Sequence, residues 1–364
     1  MEQMTAADFD HHTRAAFTEQ LRGTARGRSL GRLAEVASWI AGAQSAAPPH
    51  VLDDVHAIAI PGVHGCADRD VAGARATETT ATDVENWTNE LRSHSGPIAG
   101  AVRAAGAHLQ LIDEWTTTPA GSIDAADAMD EATYDRAVEI GASAADTAID
   151  SGAQALIPLT FGSASAVTAA ALMGALTRTE PVAIVGTGPT AARDDAAWKA
   201  TVTIIRDAMF RARFASPATA NSPATANSPE AGNAPGAGNT PGAGQTPGPT
   251  HSTPADLLRR VGSPEIVALM ALTARAAARR TPVIVDGMVT TTAAVFADRL
   301  HRGCADWVLA TGSSHDPAHR IAIRELGVSP LLELDVRADL DIGALLALPM
   351  INTAIETASA LSSD

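Results

Sequence analysis

The chain is poor in aromatic residues, cysteine and lysine, and each shortage narrows the class of protein. Phe, Trp and Tyr make up 3% of the 364 residues, so a buried core must consist mainly of aliphatic side chains and alanine. The two cysteines, Cys66 and Cys304, lie far apart and form neither a disulfide framework nor a zinc-binding spacing. This usage is typical of a reducing compartment, so we expect a cytoplasmic protein without a metal site.

The chain also lacks net positive charge and long apolar runs. Its formal net charge is −15 at pH 7, which argues against nucleic acid as a partner. No apolar run approaches the roughly 18 residues of a membrane span. Residues 1–10 contain no apolar stretch of the kind found in signal peptides. We therefore expect no membrane partner and no signal peptide.

Short β-branched runs alternate with helical periodicity along most of the chain. The clearest unit is a continuous run at 283–285, followed by Asp286-Gly287 and a helix of small residues. Other strands are predicted at 55–60, 107–113, 155–160, 181–185, 306–310 and 330–334, with 116–129 as an irregular connection. This alternation predicts an α/β fold with a doubly wound, mostly parallel sheet flanked by helices.

Composition divides the chain into three parts. Residues 1–50 show helical periodicity over 11–44, with Ser29 as a predicted N-cap. Residues 51–215 and 254–364 contain the strand–helix units. Between them, residues 216–253 repeat proline every six residues and have one charged residue, Glu230, and no large apolar side chain. This composition predicts a disordered insert, because burial cannot offset its ordering entropy.

Several predicted strands end in turns rich in glycine, serine and threonine, such as 162–165, 186–188 and 311–314. Helix N-termini after such turns bind phosphate through backbone N–H groups. A single turn of this kind is more often structural, but several together favour an anionic small-molecule ligand. The residues alone therefore indicate an α/β enzyme that acts on a phosphorylated metabolite.

Nine stretches outside the insert also occur in the order found in one enzyme family. They are 29–33, 64–65, 96–98 with 105–107, 162 with 169–172, 186–199, 257–262, 282–287, 316–317 with 319–320, and 343–344 with 346–349. Together they resemble the nicotinate-nucleotide:dimethylbenzimidazole phosphoribosyltransferase family of cobalamin biosynthesis. The resemblance implies transfer of phosphoribose from nicotinate mononucleotide to a benzimidazole-type base, forming α-ribazole phosphate, and we expect no cofactor. It also implies a small subdomain containing the N-terminal helices, and a homodimer.

The resemblance assigns residues to a nucleotide site. Lys199, the only lysine in the chain, stands where the family has a phosphate-binding lysine, whose ammonium group would neutralise the 5′-phosphate. The alternative is a solvated helix lysine. The other candidates for nucleotide binding, by the same resemblance, are Gly162, Ser165, Gly186, Gly188 and Thr311.

The resemblance also locates the general base. In the family this is a glutamate of a Gly-Glu-Gly-Thr-Gly loop, which takes the benzimidazole N–H proton while the other ring nitrogen attacks ribose C1. The matching position is Leu340, which cannot accept a proton, and Asp339 and Asp341 flank it. We therefore expect Asp341 or Asp339 to act as the base, with a solvated acidic loop as the alternative.

Other departures leave two functions open. The second active-site glutamate of the family aligns with Thr160, and the aspartate of its Asp-His-Gly motif aligns with Val63, so His64 is interpreted as a turn or core residue. One hypothesis is a divergent phosphoribosyltransferase. The other is a non-catalytic paralogue that regulates through nucleotide binding or pairs with an active homologue in a hetero-oligomer. A dinucleotide-binding oxidoreductase is disfavoured, since no Gly-x-Gly-x-x-Gly follows the first strand.

Overall fold

A five-stranded parallel sheet lies at the centre of the computed structural model, which describes residues 4–186, 194–213, 252–332 and 342–362. In chain order the strands are β1 (Val55–Ala59), β2 (Gly62–His64), β3 (His108–Leu111), β4 (Trp115–Ala120), β5 (Ala155–Leu159), β6 (Val283–Val285) and β7 (Val308–Ala310). The main sheet has the order β3-β1-β5-β6-β7, and β2 pairs with β4 in a second, two-stranded parallel sheet. The predicted mostly parallel α/β fold is confirmed.

The strand order reverses at β1. This first strand pairs with β3 on one side and with β5 on the other, and the chain then adds β6 and β7 beyond β5. In doubly wound sheets the ligand crevice forms outside the carboxyl ends of the strands at such a reversal. The topology therefore predicts a ligand site beside the residues that follow β1 and β5.

Helices cover both faces of the sheet. The described residues contain α1 (His11–Arg22), α2 (Ala25–Arg28), α3 (Arg32–Gln44), α4 (Ala81–Arg92), α5 (Gly96–Ala105), α6 (Glu131–Asp150), α7 (Ser165–Thr177), α8 (Pro181–Val185), α9 (Asp195–Ala212), α10 (Pro254–Val261), α11 (Pro264–Ala278), α12 (Gly287–Leu300), α13 (Pro317–Leu326) and α14 (Gly343–Ser362). The core is mainly aliphatic, as expected, and β5, β6 and β7 are buried at every residue.

The N-terminal helices pack with the C-terminal helix. Phe17 and Leu21 of α1 meet Ala37 and Ala41 of α3 and Ala358 of α14 in a small apolar cluster separate from the main core. Among the described helices, α14 is the one whose length and apolar composition would suit a membrane span, yet it packs against α3 and α5 as a core helix of a globular protein does. The proposed division of the chain into domains stays a prediction.

Two strand predictions are wrong. Residues 181–185 form α8, because Pro181 at the first helical position presets the backbone and because Val182 is 46% exposed, unlike a residue of a central strand. Residues 330–332 form no strand, although Leu331 N–H donates to Ala310 O at the end of β7 and Leu332 N–H donates to Thr311 O just beyond it. Residues 333 and 334 lie outside the described residues.

Two further local predictions are wrong. Residues 116–120, at the start of the segment expected to be irregular, belong to β4, and the consecutive threonines at 116–118 favour the extended backbone. Ser29 closes α2 instead of opening a helix, and the N-cap of α3 is Gly31 with φ of +52°. The predicted disordered insert at 216–253 lies almost wholly outside the described residues.

Candidate active site

The chain segments that follow β1 and β5 stay paired beyond the edge of the sheet. Ile60 N–H donates to Leu159 O at 2.9 Å, and Gly62 N–H donates to Phe161 O at 3.2 Å. A Cβ atom at Gly162 would lie 2.5 Å from Gly62 O, so only glycine allows this approach. Gly162 therefore lies at the reversal of strand order, and its contact with nucleotide stays a prediction.

A buried ion pair lies directly behind these paired segments. His64 Nε2 lies 2.7 Å from Glu265 Oε1, and both side chains are almost completely excluded from solvent. Ser165, a predicted nucleotide-binding residue, has its Oγ 3.2 Å from the same nitrogen, and Thr168 Oγ1 lies 2.9 Å from His64 Nδ1. The interpretation of His64 as a core residue is thus confirmed, but its charged partner was missed.

Glu265 is held at the start of α11 by several groups. Ser263 Oγ donates to Oε1 at 2.6 Å, and the carboxylate lies in the first helical turn, where the helix dipole favours negative charge. Burial raises the pKa of Glu265, but the charge and hydrogen bond of His64 outweigh it, so the net pKa is lowered. Oε2 is buried, accepts no hydrogen bond from the described residues, and lies against Gly62.

A weak sequence signal for Glu265 did exist. The Ser-Pro-Glu start of α11 has its glutamate two residues after serine, whereas a capping box needs three. In agreement, Ser263 makes no side-chain cap and binds the carboxylate instead. Glu265 therefore stands one position before the one that a capping box requires. An acidic residue at such a position of a buried helix indicates a partner elsewhere in the chain.

A second polar cluster lies where β6 and β7 end. Asp286 is 3% exposed and accepts hydrogen bonds from Gly343 N–H at 2.9 Å and from Thr311 Oγ1 at 3.4 Å. Burial raises the pKa of Asp286, and these hydrogen bonds only partly oppose it. The single hydroxyl proton of Thr311 is shared with Val285 O, which lies closer at 3.0 Å, so Thr311 joins the end of β7 to β6. Its predicted contact with nucleotide stays a prediction.

His319 lies beneath this cluster as a neutral imidazole. Ser314 N–H donates to Nδ1 at 3.2 Å, which leaves the proton on Nε2, and Nε2 lies 3.2 Å from Thr291 Oγ1. The Thr291 hydroxyl in turn donates to Gly287 O at 2.6 Å. Burial lowers the pKa of His319 to about 4, in accord with this chain of hydrogen bonds.

Lys199 and Gly186 lie on elements that meet at the carboxyl side of the sheet. Lys199 is exposed in the second turn of α9. Its neighbour Trp198 donates from Nε1 to Gly186 O at 2.7 Å, which ties the start of α9 to the end of α8. Gly186 also lies beside Pro317 at the start of α13. The roles of Lys199 and Gly186 in phosphate binding stay predictions.

The structure brings only some of the predicted site residues together. Ser165 and Gly162 share the first cluster and Thr311 belongs to the second, and both clusters follow strands of the same sheet edge. Gly188, Asp339, Leu340 and Asp341 lie outside the described residues. The flanks of 333–341 are nevertheless fixed, because Leu332 N–H binds Thr311 O at 2.8 Å and Gly343 N–H binds Asp286.

Comparison with known proteins gives one consistent result. The family described as phosphoribosyltransferase matches residues 6–227 and 243–363. Relatives named nicotinate-nucleotide–dimethylbenzimidazole phosphoribosyltransferase are 34% identical in Corynebacterium glutamicum (92% of this chain, 84% of the relative) and 31% identical in Mycobacterium avium (92% and 88%). The crystal structure of CobT from Thermus thermophilus has the same fold, with a TM-score of 0.76, 22% identity and 95% coverage of both chains.

Proposed function

This chain belongs to the nicotinate-nucleotide–dimethylbenzimidazole phosphoribosyltransferase family, and on that premise we propose that it transfers phosphoribose from nicotinate mononucleotide to a benzimidazole-type base. The observation that carries the proposal is the similarity to relatives of that name across 92% of the chain. The two polar clusters follow strands of this sheet at their carboxyl ends, where doubly wound folds bind their ligands beside a reversal of strand order.

The reaction needs a binding site and a proton acceptor. One ring nitrogen of the base attacks ribose C1, the bond from C1 to the nicotinate nitrogen breaks, and nicotinate leaves with the electron pair. The proton on the second ring nitrogen passes to a carboxylate, which gives α-ribazole phosphate. No electrons are gained or lost, so the transfer requires no redox cofactor.

Asp341 is the proton acceptor that we favour. It precedes Gly343 by two residues, and Gly343 N–H is bound to Asp286 at the end of β6. Asp339 precedes Gly343 by four residues in the sequence and is the alternative. Asp286 already accepts two hydrogen bonds, so we assign it the role of anchoring this loop.

The 5′-phosphate is best accommodated near α7. Its N-cap is Ala164, which has no side chain to bind the first-turn N–H groups, and Ser165 provides a hydroxyl at the first helical position. Such N–H groups attract phosphate, as the helix dipole does. Lys199 would add a point charge from α9, which packs against α7.

An assay of nicotinate release by the purified protein, with nicotinate mononucleotide and dimethylbenzimidazole, tests the proposal. We expect Asp341→Asn to lower kcat by about 10²- to 10⁴-fold, with Asp339→Asn as the matched control. Lys199→Ala should raise KM for the nucleotide. Equal activity in both aspartate variants would place the base elsewhere.

The same experiment distinguishes the non-catalytic alternative. Absence of turnover by the wild-type protein, together with calorimetric binding of nicotinate mononucleotide that Lys199→Ala weakens, would indicate a nucleotide-binding regulator or partner subunit. Turnover by the purified wild-type protein, without any added partner, would exclude that alternative.

We also propose a homodimer that acts in the cytoplasm. Leu346 and Met350, one turn apart on α14, are 49% and 39% exposed, and such exposed apolar side chains on one helix face favour contact with another chain. Light scattering of the purified protein measures the assembly, and a monomeric mass would contradict the dimer. A complex seen only after addition of an active homologue would support the hetero-oligomer.

A further inference from the structure

Two histidines and an aspartate converge at the amino ends of β1 and β3. His56 and His108 are register partners on these adjacent parallel strands, and their ring centroids lie 5.0 Å apart. Asp54 immediately precedes β1, and its Oδ1 lies 3.1 Å from His56 Nε2 and 3.6 Å from His108 Nε2. This cluster lies at the amino ends of the strands, whereas the candidate active site lies at their carboxyl ends. The proposed transfer reaction therefore does not explain it.

The two distances from Asp54 to the imidazole nitrogens are close to those between the ligands of a four-coordinate metal ion. Zinc bonds to imidazole nitrogen and carboxylate oxygen are about 2.0–2.2 Å long, so neighbouring tetrahedral ligands lie roughly 3.3–3.5 Å apart. The three ligand atoms here lie within 4.8 Å of one another. Small side-chain rotations would therefore bring all three to a common centre and leave a fourth position for water.

The orientation of the groups also favours a shared ion over a simple ion pair. Oδ1 of Asp54 is buried and accepts no hydrogen bond from the described residues, although His56 Nε2 is within reach. The imidazole N–H is therefore not directed at the carboxylate. A metal ion would satisfy this buried oxygen, which otherwise carries a desolvation cost without a partner.

The backbone around Asp54 is fixed independently of any ion. Gln154 Oε1 accepts hydrogen bonds from Asp53 N–H at 2.7 Å and from Asp54 N–H at 3.1 Å. In return Gln154 N–H donates to Asp54 O at 2.8 Å. Gln154 is thus a positioning residue, of the kind that supports metal ligands from behind. The side chain of His108 is 67% exposed, which gives an ion access from solvent.

We propose that Asp54, His56 and His108 form a binding site for a divalent transition-metal ion of the zinc type. Two imidazole nitrogens favour zinc and its neighbours over magnesium or calcium, which prefer oxygen ligands. β3 is an edge strand of the main sheet, so an ion bound by residues of both strands would stabilise the pairing of β3 with β1. The site departs from the sequence-based expectation of no metal, because ligands from two strands leave no local spacing to recognise.

Calorimetric titration of the EDTA-treated full-length protein with zinc chloride tests the proposal. We expect one site that His108→Ala and Asp54→Asn each weaken by more than about tenfold, since even a supporting residue is worth about 10- to 100-fold. His12→Ala, which removes an exposed histidine of α1, is the matched control and should bind as the wild type does. Equal affinity of wild type, His108→Ala and Asp54→Asn would overturn the proposal.

A second measurement distinguishes loss of the metal site from misfolding of a variant. Zinc should raise the melting temperature of the wild type and of His12→Ala, because a ligand that binds only the folded state stabilises it, and should leave that of His108→Ala unchanged. Since His108 is exposed, this variant should fold and retain transferase activity. An equal zinc-induced shift in His108→Ala would assign the effect to other groups.

Discussion

The His64–Glu265 pair shows how much a single residue can depend on a distant one. Burying two charges is costly, and their attraction offsets that cost only when both are present. Ser165 and Ser263 supply the additional polar contacts that such a pair needs. Removal of either charge should therefore lower the free energy of unfolding far more than removal of an exposed acidic side chain does.

Glu265→Gln should lower the free energy of unfolding at pH 7 by about 3–5 kcal/mol, the usual effect of breaking a buried pair. Because the pKa of Glu265 is lowered in the folded protein, its contribution is present above the unfolded pKa of about 4.3 and is lost as pH falls through the folded pKa. Urea unfolding at pH 7 and at a series of pH values below about 4.3 should thus show a large difference from wild type that decreases as the pH falls. Glu139→Gln, at an exposed position on α6, is the matched control and should change the free energy of unfolding at none of these pH values. A difference that increases as the pH falls below about 4.3 would contradict the assigned pKa direction.

His319 predicts a different pH dependence. Its folded pKa of about 4 lies below the ordinary value near 6.5, so between these values the unfolded state binds more protons. The free energy of unfolding should therefore fall as pH decreases through this window, by up to about 1.4 kcal/mol per pH unit. Urea unfolding at pH 6.5 and 5 should show a flatter dependence for His319→Gln than for wild type. An unchanged slope would show that His319 is protonated in the folded state.

At the scale of elements, the sequence predicted those strands and helices that have a clear local pattern of apolar residues. The β-branched run at 283–285 forms a strand where expected, because a buried parallel strand imposes its local composition. The segment 181–185 was misassigned, since a short apolar run suits a buried strand and a buried helix turn equally.

The candidate site was harder to predict for a physical reason. Asp286 could be recognised at a strand end, but its raised pKa depends on enclosure by Thr311 and Gly343, which are 25 and 57 residues away. Glu265 and His64 come from opposite halves of the chain. Such contacts are made by tertiary packing, so no local pattern marks them.

The contact between α6 and α11 gives an element-scale prediction. A Cβ atom at Gly141 of α6 would collide with the backbone of Ala268 on α11, so the two helices meet at a distance that only glycine permits. Gly141→Ala should therefore destabilise the protein by about 1–3 kcal/mol, as overpacking of a core usually does.

Gly100→Ala is the matched control for this contact. Gly100 lies in α5, and an added Cβ there would meet only Arg103 Nη2, at 3.9 Å. Alanine should stabilise that helix by about 0.5–1 kcal/mol through its better propensity. Thermal unfolding of both variants gives the comparison, and equal shifts would mean that α6 and α11 can move apart at little cost.

At the scale of the whole molecule, the central question is how far the fold depends on the segment between α9 and α10. Residues 214–251 lie outside the described residues, but the positions on either side of them are in contact. Ser252 Oγ donates to Ala212 O at 2.6 Å, and Thr253 then caps α10. The family match also omits 228–242, so the common fold is complete without that part.

Deletion of residues 218–250 should therefore leave the fold and the transferase activity in place. The remaining residues have only to join two ends that already touch, and each doubling of loop length changes the closure free energy by only about 0.6 kcal/mol. We expect the free energy of unfolding to change by less than about 1 kcal/mol in urea, relative to the full chain. A variant with a glycine–serine linker of the original length separates the effect of length from that of sequence. If both variants lost several kcal/mol or their cooperative transition, the proline-rich segment would have to contact the core, and the disordered insert predicted from its composition would be wrong.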